Sequence, residues 1–121
     1  MINNAEHSRY KIKEWRNDDI KSWWAIIYVS GDISITLNKL RELCFPKGLC
    51  VSLRKNEYVY AGGVESGVEI GLIQYPPFPE DERSLFKKAE HVGKSIAEVN
   101  SQWSFTILTP TQTYFYSRRE R

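Results

Sequence analysis

Histidine, cysteine and methionine are scarce in this 121-residue chain, which holds two, two and one of them. His7 and His91 stand far apart, with no cysteine or acid nearby at ligand spacing, so no metal site is expected. Cys44 and Cys50 flank Phe45-Pro46-Lys47-Gly48-Leu49. A disulfide across so short a loop is conceivable, and two reduced thiols are the plainer reading. Neither thiol has a base close in sequence to make it a nucleophile. No apolar run approaches the ~20 residues that span a bilayer, and the polar start Met1–Glu6 does not read as a signal peptide. A cytoplasmic address with no membrane partner follows as an expectation. Gly62-Gly63 and Gly67 lie in a run without lysine that joins two strands rather than a strand and a helix, which excludes a phosphate cradle. No serine stands on a nucleophile turn. No catalytic residue and no cofactor is therefore expected, and the chain reads as a non-enzyme.

Aromatic residues, by contrast, are plentiful: four Trp, seven Tyr and five Phe. With 26% charged residues the chain is too apolar for disorder and long enough for one core. A single domain over residues 1–121 is expected, with an irregular start over 1–22 and a frayed tail over 118–121. Net charge is +2, but its distribution is uneven. Residues 56–82 carry six acids and no Lys, Arg or His. A field so one-sided speaks to partners rather than to fold.

Hydrophobic periodicity predicts the elements. Trp23–Val29 is an apolar strand closed by Ser30-Gly31-Asp32, and Tyr10–Trp15 alternates weakly as a short edge strand. Asp32 or Ser34 caps a helix whose stripe is Ile33, Leu37, Leu40 and Cys44, widened by Leu43. Pro46 and Gly48 end it. Leu49–Arg54 alternates as a strand, is bulged or turned at Lys55-Asn56-Glu57, and resumes at Tyr58-Val59-Tyr60. Gly62–Gly67 reads as a hairpin loop, followed by the nearly continuous apolar strand Val68–Tyr75. After the stiff Pro76-Pro77-Phe78-Pro79, a helix over about Asp81–Asn100 shows Leu85, Ala89, Val92, Ile96 and Val99 on one stripe. Strands over Trp103–Leu108 and Thr113–Ser117 complete the chain.

The order β-α-β-β-α-β with an extra terminal strand resembles the split βαβ, ferredoxin-like plan. It implies an α+β sandwich: an antiparallel sheet, two helices on one face, and the first and third strands central. The RNA-recognition-motif family shares that order. Ile27–Asp32 is similar to its first-strand signature, and Gly71, Ile73 and Tyr75 to its third-strand one. Ile70 and Leu72, however, stand where the stacking aromatics belong, and Val68-Glu69 where a basic-glycine pair belongs, so nucleic acid is kept as an alternative only.

In general character the chain also resembles small bacterial immunity proteins, the antitoxins carried beside polymorphic and contact-dependent growth inhibition toxins. That resemblance implies a toxin inhibitor with an acidic, aromatic face covering the basic active site of a toxin such as a nuclease. The partner-binding residues it implies are Glu57, Tyr58, Tyr60, Glu65, Glu69, Tyr75, Phe78, Glu80, Asp81 and Glu82. Pairing of two copies through an edge strand is compatible with it. A small-molecule-binding or enzymatic domain of the same plan is the other alternative, to be recognised by convergent polar groups.

Overall fold

The computed structural model describes residues 7–12, 20–45 and 49–119. Its elements run β1 (Trp24–Ser30), α1 (Ile33–Cys44), β2 (Ser52–Tyr60), β3 (Gly63–Ile73), α2 (Glu82–Val99), β4 (Ser104–Leu108) and β5 (Thr113–Ser117). The strands form one five-stranded sheet in the order β2-β3-β1-β4-β5, and every neighbouring pair is antiparallel. This is the ferredoxin-like arrangement, extended by β5 at one edge. As the apolar runs predict, β1 and β3 are central.

Alternation along the strands sorts the sheet into two faces. Ala25, Ile27 and Val29 of β1, Val68, Ile70 and Leu72 of β3, and Phe105 and Ile107 of β4 are buried. They meet Leu40 of α1 and Leu85, Ala89, Val92, Ile96 and Ala97 of α2 in one core. Ile70 and Leu72, the positions an RNA platform would fill with exposed rings, lie within that core. Neither α1 nor α2 packs on the opposite face.

Both helices begin on an aspartate. Asp32 accepts a hydrogen bond from the Ile35 amide at 2.9 Å, and Asp81 one from the Ser84 amide at 2.7 Å, satisfying donors that a first turn leaves free. The helix ends are tied together by Asn100. Its Oδ1 accepts from the Asp32 amide at 3.0 Å, while Nδ2 donates to Thr36 Oγ1 at 2.9 Å and to the Ile96 carbonyl at 3.1 Å.

Several local expectations are corrected. In α1 the fully buried positions are Thr36 and Leu40, whereas Leu37 is 48% exposed. The Asn100 bond lets a hydroxyl face inward there. In α2, Gly93 and Ala97 join the buried stripe, and Val99 turns outward at the helix end. The loop expected over Gly62–Gly67 shrinks to a turn at Ala61-Gly62. β3 begins at Gly63 and pairs with β2 in register from Tyr60↔Gly63 to Ser52↔Gly71, so β2 is continuous through Lys55–Glu57. Of the expected edge strand Tyr10–Trp15, residues 10–12 form no strand and the rest lies outside the described residues. Cys44 and Cys50 are both free thiols, and burial, then the nearby Cys50, pushes the Cys44 thiol up.

Candidate functional site on the uncovered sheet face

Residues directly opposite in an antiparallel ladder share a face. The register Arg54↔Glu69↔Tyr28↔Thr106↔Phe115 therefore runs as one row across the uncovered face, from edge to edge. Asn56↔Gly67↔Ser30 forms the next row, and Tyr58↔Glu65 the one after. Strand alternation alone brings two carboxylates, two phenols, an amide, two aliphatic hydroxyls and a guanidinium onto neighbouring positions.

The side chains within this patch are organised. Asn56 Nδ2 donates to Glu69 Oε2 at 3.0 Å, and Ser30 Oγ donates to Glu65 Oε1. Tyr58 donates its hydroxyl proton to the Val68 carbonyl at 2.6 Å. Its ring lies across Gly67: a Cβ there would stand 1.9 Å from Tyr58 Cε2 and 2.9 Å from the Val29 carbonyl oxygen. The Tyr28 ring meets the Tyr58 ring edge-on, with centroids 6.4 Å apart and planes at 74°. Burial pushes the Tyr58 phenol pKa up; the bond with Asn56 opposes that shift, and the charge of Glu69 adds to it. Tyr58 therefore stays neutral, a donor rather than a phenolate. Among the described residues Glu69 Oε1 accepts no hydrogen bond, so one carboxylate oxygen is fixed by Asn56 and the other is open to a ligand.

Of the residues singled out from the sequence, Tyr58, Tyr60, Glu65 and Glu69 share this face. Glu57 alternates to the other side of β2. Tyr75 and Phe78 lie on the connection after β3, with ring centroids 6.0 Å apart. Glu80 is held by Lys88 Nζ at 2.6 Å and by Ser84 Oγ at 2.8 Å. The Lys88 bond brings its carboxyl pKa below the ordinary range, against an opposing effect of burial. Asp81 caps α2 and Glu82 is its first residue. The acidic run is thus split into a pair on the sheet face, Glu65 exposed and Glu69 half-buried, and a connection whose charge is partly spent within the molecule. Tyr28, Ser30, Arg54 and Asn56 complete the patch and lay outside the sequence-derived set. Following the alternation of β1 and β2 across to Glu69 would have found them.

No known family model and no curated protein sequence matches this chain. Solved structures do. A phage SAM (S-adenosylmethionine) lyase in its apo state superposes with a TM-score of 0.67 at 16% identity, over 92% of this chain and 99% of that one. The chain is similar in fold to a phage SAM lyase. A phage SAM lyase in complex with S-methyl-5'-thioadenosine gives a TM-score of 0.60 at 14% identity, over 86% of this chain and 98% of that one.

This finding corrects the functional expectation. The plan that the sequence linked to a non-catalytic immunity protein, antitoxin or toxin inhibitor is, in both neighbours, the whole body of a lyase. Neither neighbour is an immunity protein. The non-enzyme expectation rested on missing motifs, and a fold that houses a lyase in two solved structures removes that ground. Among the described residues no helix is long and apolar enough to cross a membrane.

Proposed function

We propose that this chain is an enzyme that cleaves S-adenosylmethionine, or an adenosyl sulfonium close to it, on the uncovered sheet face at Tyr28, Asn56, Tyr58 and Glu69. The observation that carries the reading is the likeness to a SAM lyase over nearly the full length of both chains. A fold hosts many functions, so the site must support it too. S-Adenosylmethionine carries two positive groups, the sulfonium and the α-ammonium. Half-buried Glu69 and exposed Glu65 supply the opposite charge, and the Tyr28 and Tyr58 rings supply π-faces of the kind that hold a cation.

In a lyase reaction the bond between sulfur and the four-carbon amino-acid arm breaks. Both electrons go to sulfur, which leaves as the neutral thioether S-methyl-5'-thioadenosine. The arm closes on its own carboxylate or loses a proton, and no water enters. Because the positive charge on sulfur falls on the way to the transition state, a carboxylate beside it would favour the ground state and slow the reaction. The α-ammonium keeps its charge throughout. Glu69, with Asn56 fixing one oxygen, is therefore assigned to the ammonium. Tyr58, neutral and anchored to the main chain, is assigned to the sulfonium end, where a ring stabilises without a full charge. The reading keeps the cytoplasmic location expected from the sequence.

The test is incubation of purified protein with S-adenosylmethionine and detection of S-methyl-5'-thioadenosine by mass spectrometry. Glu69→Gln is expected to raise KM by roughly tenfold to a hundredfold, the worth of a charge-assisted hydrogen bond, with a smaller change in kcat. Absence of thioether release, together with absence of saturable binding of either compound, would refute the proposal.

A further inference from the structure

The other face of the sheet carries a cleft that the lyase reading leaves unused. Where the C-terminal half of α2 leaves the β4–β5 edge, a recess of about 210 Å³ opens, walled by Trp103, Phe105 and Tyr116 with Lys94, Glu98 and Arg118 at its rim. Its walls are packed against one another. Phe105 and Tyr116 stack with centroids 4.6 Å apart and planes 5° from parallel, and Tyr116 donates its hydroxyl proton to Glu90 Oε2 at 2.8 Å. Gly93 makes room for the stack, since a Cβ there would come within 2.4 Å of Phe105 Cε2.

The rim is cationic and prepared. Arg118 lies over the Trp103 ring, 4.8 Å from its centroid, and donates through Nη2 to the Gln102 carbonyl at 3.0 Å. Its amide donates to the Trp103 carbonyl at 2.8 Å, which pins the residue. A guanidinium has five N–H donors, so most remain for a ligand. Among the described residues neither Arg118 nor Lys94 has a carboxylate partner, so two unpaired cations stand at the rim beside Glu98, while Glu90 lies behind the wall and is engaged by the Tyr116 hydroxyl.

We propose that this cleft is a second ligand site, which takes a small flat aromatic carboxylate. The ring would lie against Trp103 and the Phe105–Tyr116 wall, and the carboxylate would meet Arg118 and Lys94. The recess is smaller than the ~300 Å³ at which drug-sized pockets begin, so the ligand is one or two rings in size. A guanidinium fork suits a carboxylate in two-point contact, and a guanidinium already held in place loses little freedom on binding. The site is independent of the lyase reading, because the sheet itself separates the two.

The test is titration of the full chain with benzoate and indole-3-carboxylate, followed by amide and indole N–H NMR. The uncharged benzamide serves as the shape control. Saturable shifts confined to Trp103, Arg118 and the end of α2 are expected, at least ~10-fold weaker with benzamide. Arg118→Gln and Lys94→Gln should each weaken benzoate binding, and Glu98→Gln should strengthen it. Lys94 is exposed and bonded to nothing among the described residues, so its variant keeps the test valid if Arg118→Gln frays the C-terminus. Equal binding of benzamide, shifts scattered over the surface, or no saturation would overturn the assignment, whether or not the protein cleaves S-adenosylmethionine.

Discussion

Gly67→Ala should unseat Tyr58. The added methyl would stand 1.9 Å and 2.6 Å from two carbons of the Tyr58 ring and 2.9 Å from the Val29 carbonyl oxygen. A tyrosine ring can swing away, whereas the backbone of β1, paired on both sides, cannot. Swinging breaks the 2.6 Å bond to the Val68 carbonyl and the edge contact with Tyr28. Overpacking costs about 1–3 kcal/mol and the lost hydrogen bond about 1 kcal/mol. The sum, ~2–4 kcal/mol, corresponds in a chain this long to a fall in Tm of roughly 8–16 °C. Thermal unfolding of Gly67→Ala, Tyr58→Ala and the double variant measures how much of the cost passes through the ring. Without the ring only the Val29 contact resists the methyl, so the second substitution should cost at least ~1 kcal/mol less in the Tyr58→Ala background. Costs that add within ~0.5 kcal/mol would refute the claim that Tyr58 is seated on Gly67. The same variant tests function: a displaced Tyr58 should impair thioether release even at temperatures where Gly67→Ala remains folded.

Two further outcomes follow from polar contacts away from the sheet face. Asn100→Ala removes three hydrogen bonds and strands the hydroxyl of fully buried Thr36, so it should cost ~2–3 kcal/mol by denaturant titration. Adding Thr36→Val should recover part of that loss, and an additive double variant would refute the bridge. Lys88 lowers the pKa of Glu80 in the folded protein, so the pair's stabilisation is present above the ordinary carboxylate range and lost as pH falls through it towards the lowered value. The unfolding midpoints of wild type and Lys88→Met should therefore differ at neutral pH and converge as pH falls through and below the ordinary carboxylate range, and a constant gap would refute the linkage.

The fold was legible because its central elements are its most apolar ones. β1 and β3 are buried by helices on one side and paired on both edges, and their sequences carry that double burden as near-continuous runs. The misses have physical causes. Thr36 looks polar in sequence and is buried because Asn100, 64 positions away, satisfies its hydroxyl. Gly67 looks like a turn glycine, yet it lies in mid-strand under an aromatic ring, a role only the paired strand reveals. The candidate site was half legible. Glu69, Tyr58 and Glu65 stood out as acids and aromatics, but their grouping was attributed to one continuous acidic segment. The grouping that the fold creates is lateral, joining Tyr28 of β1 and Asn56 and Tyr58 of β2 to Glu69 of β3, and nothing in a single strand's composition announces its neighbours across a ladder.

Tyr58 is moored to a main-chain oxygen, a group that residue 68 provides whatever its side chain. Substitutions at 68 that still fill the core can therefore accumulate without loosening the phenol. Positions 58 and 67 have no such latitude: a ring at one requires a bare α-carbon at the other. Evolution should trade the two together or keep both, so an engineer wishing to reshape this face has one paired knob to turn rather than two separate ones.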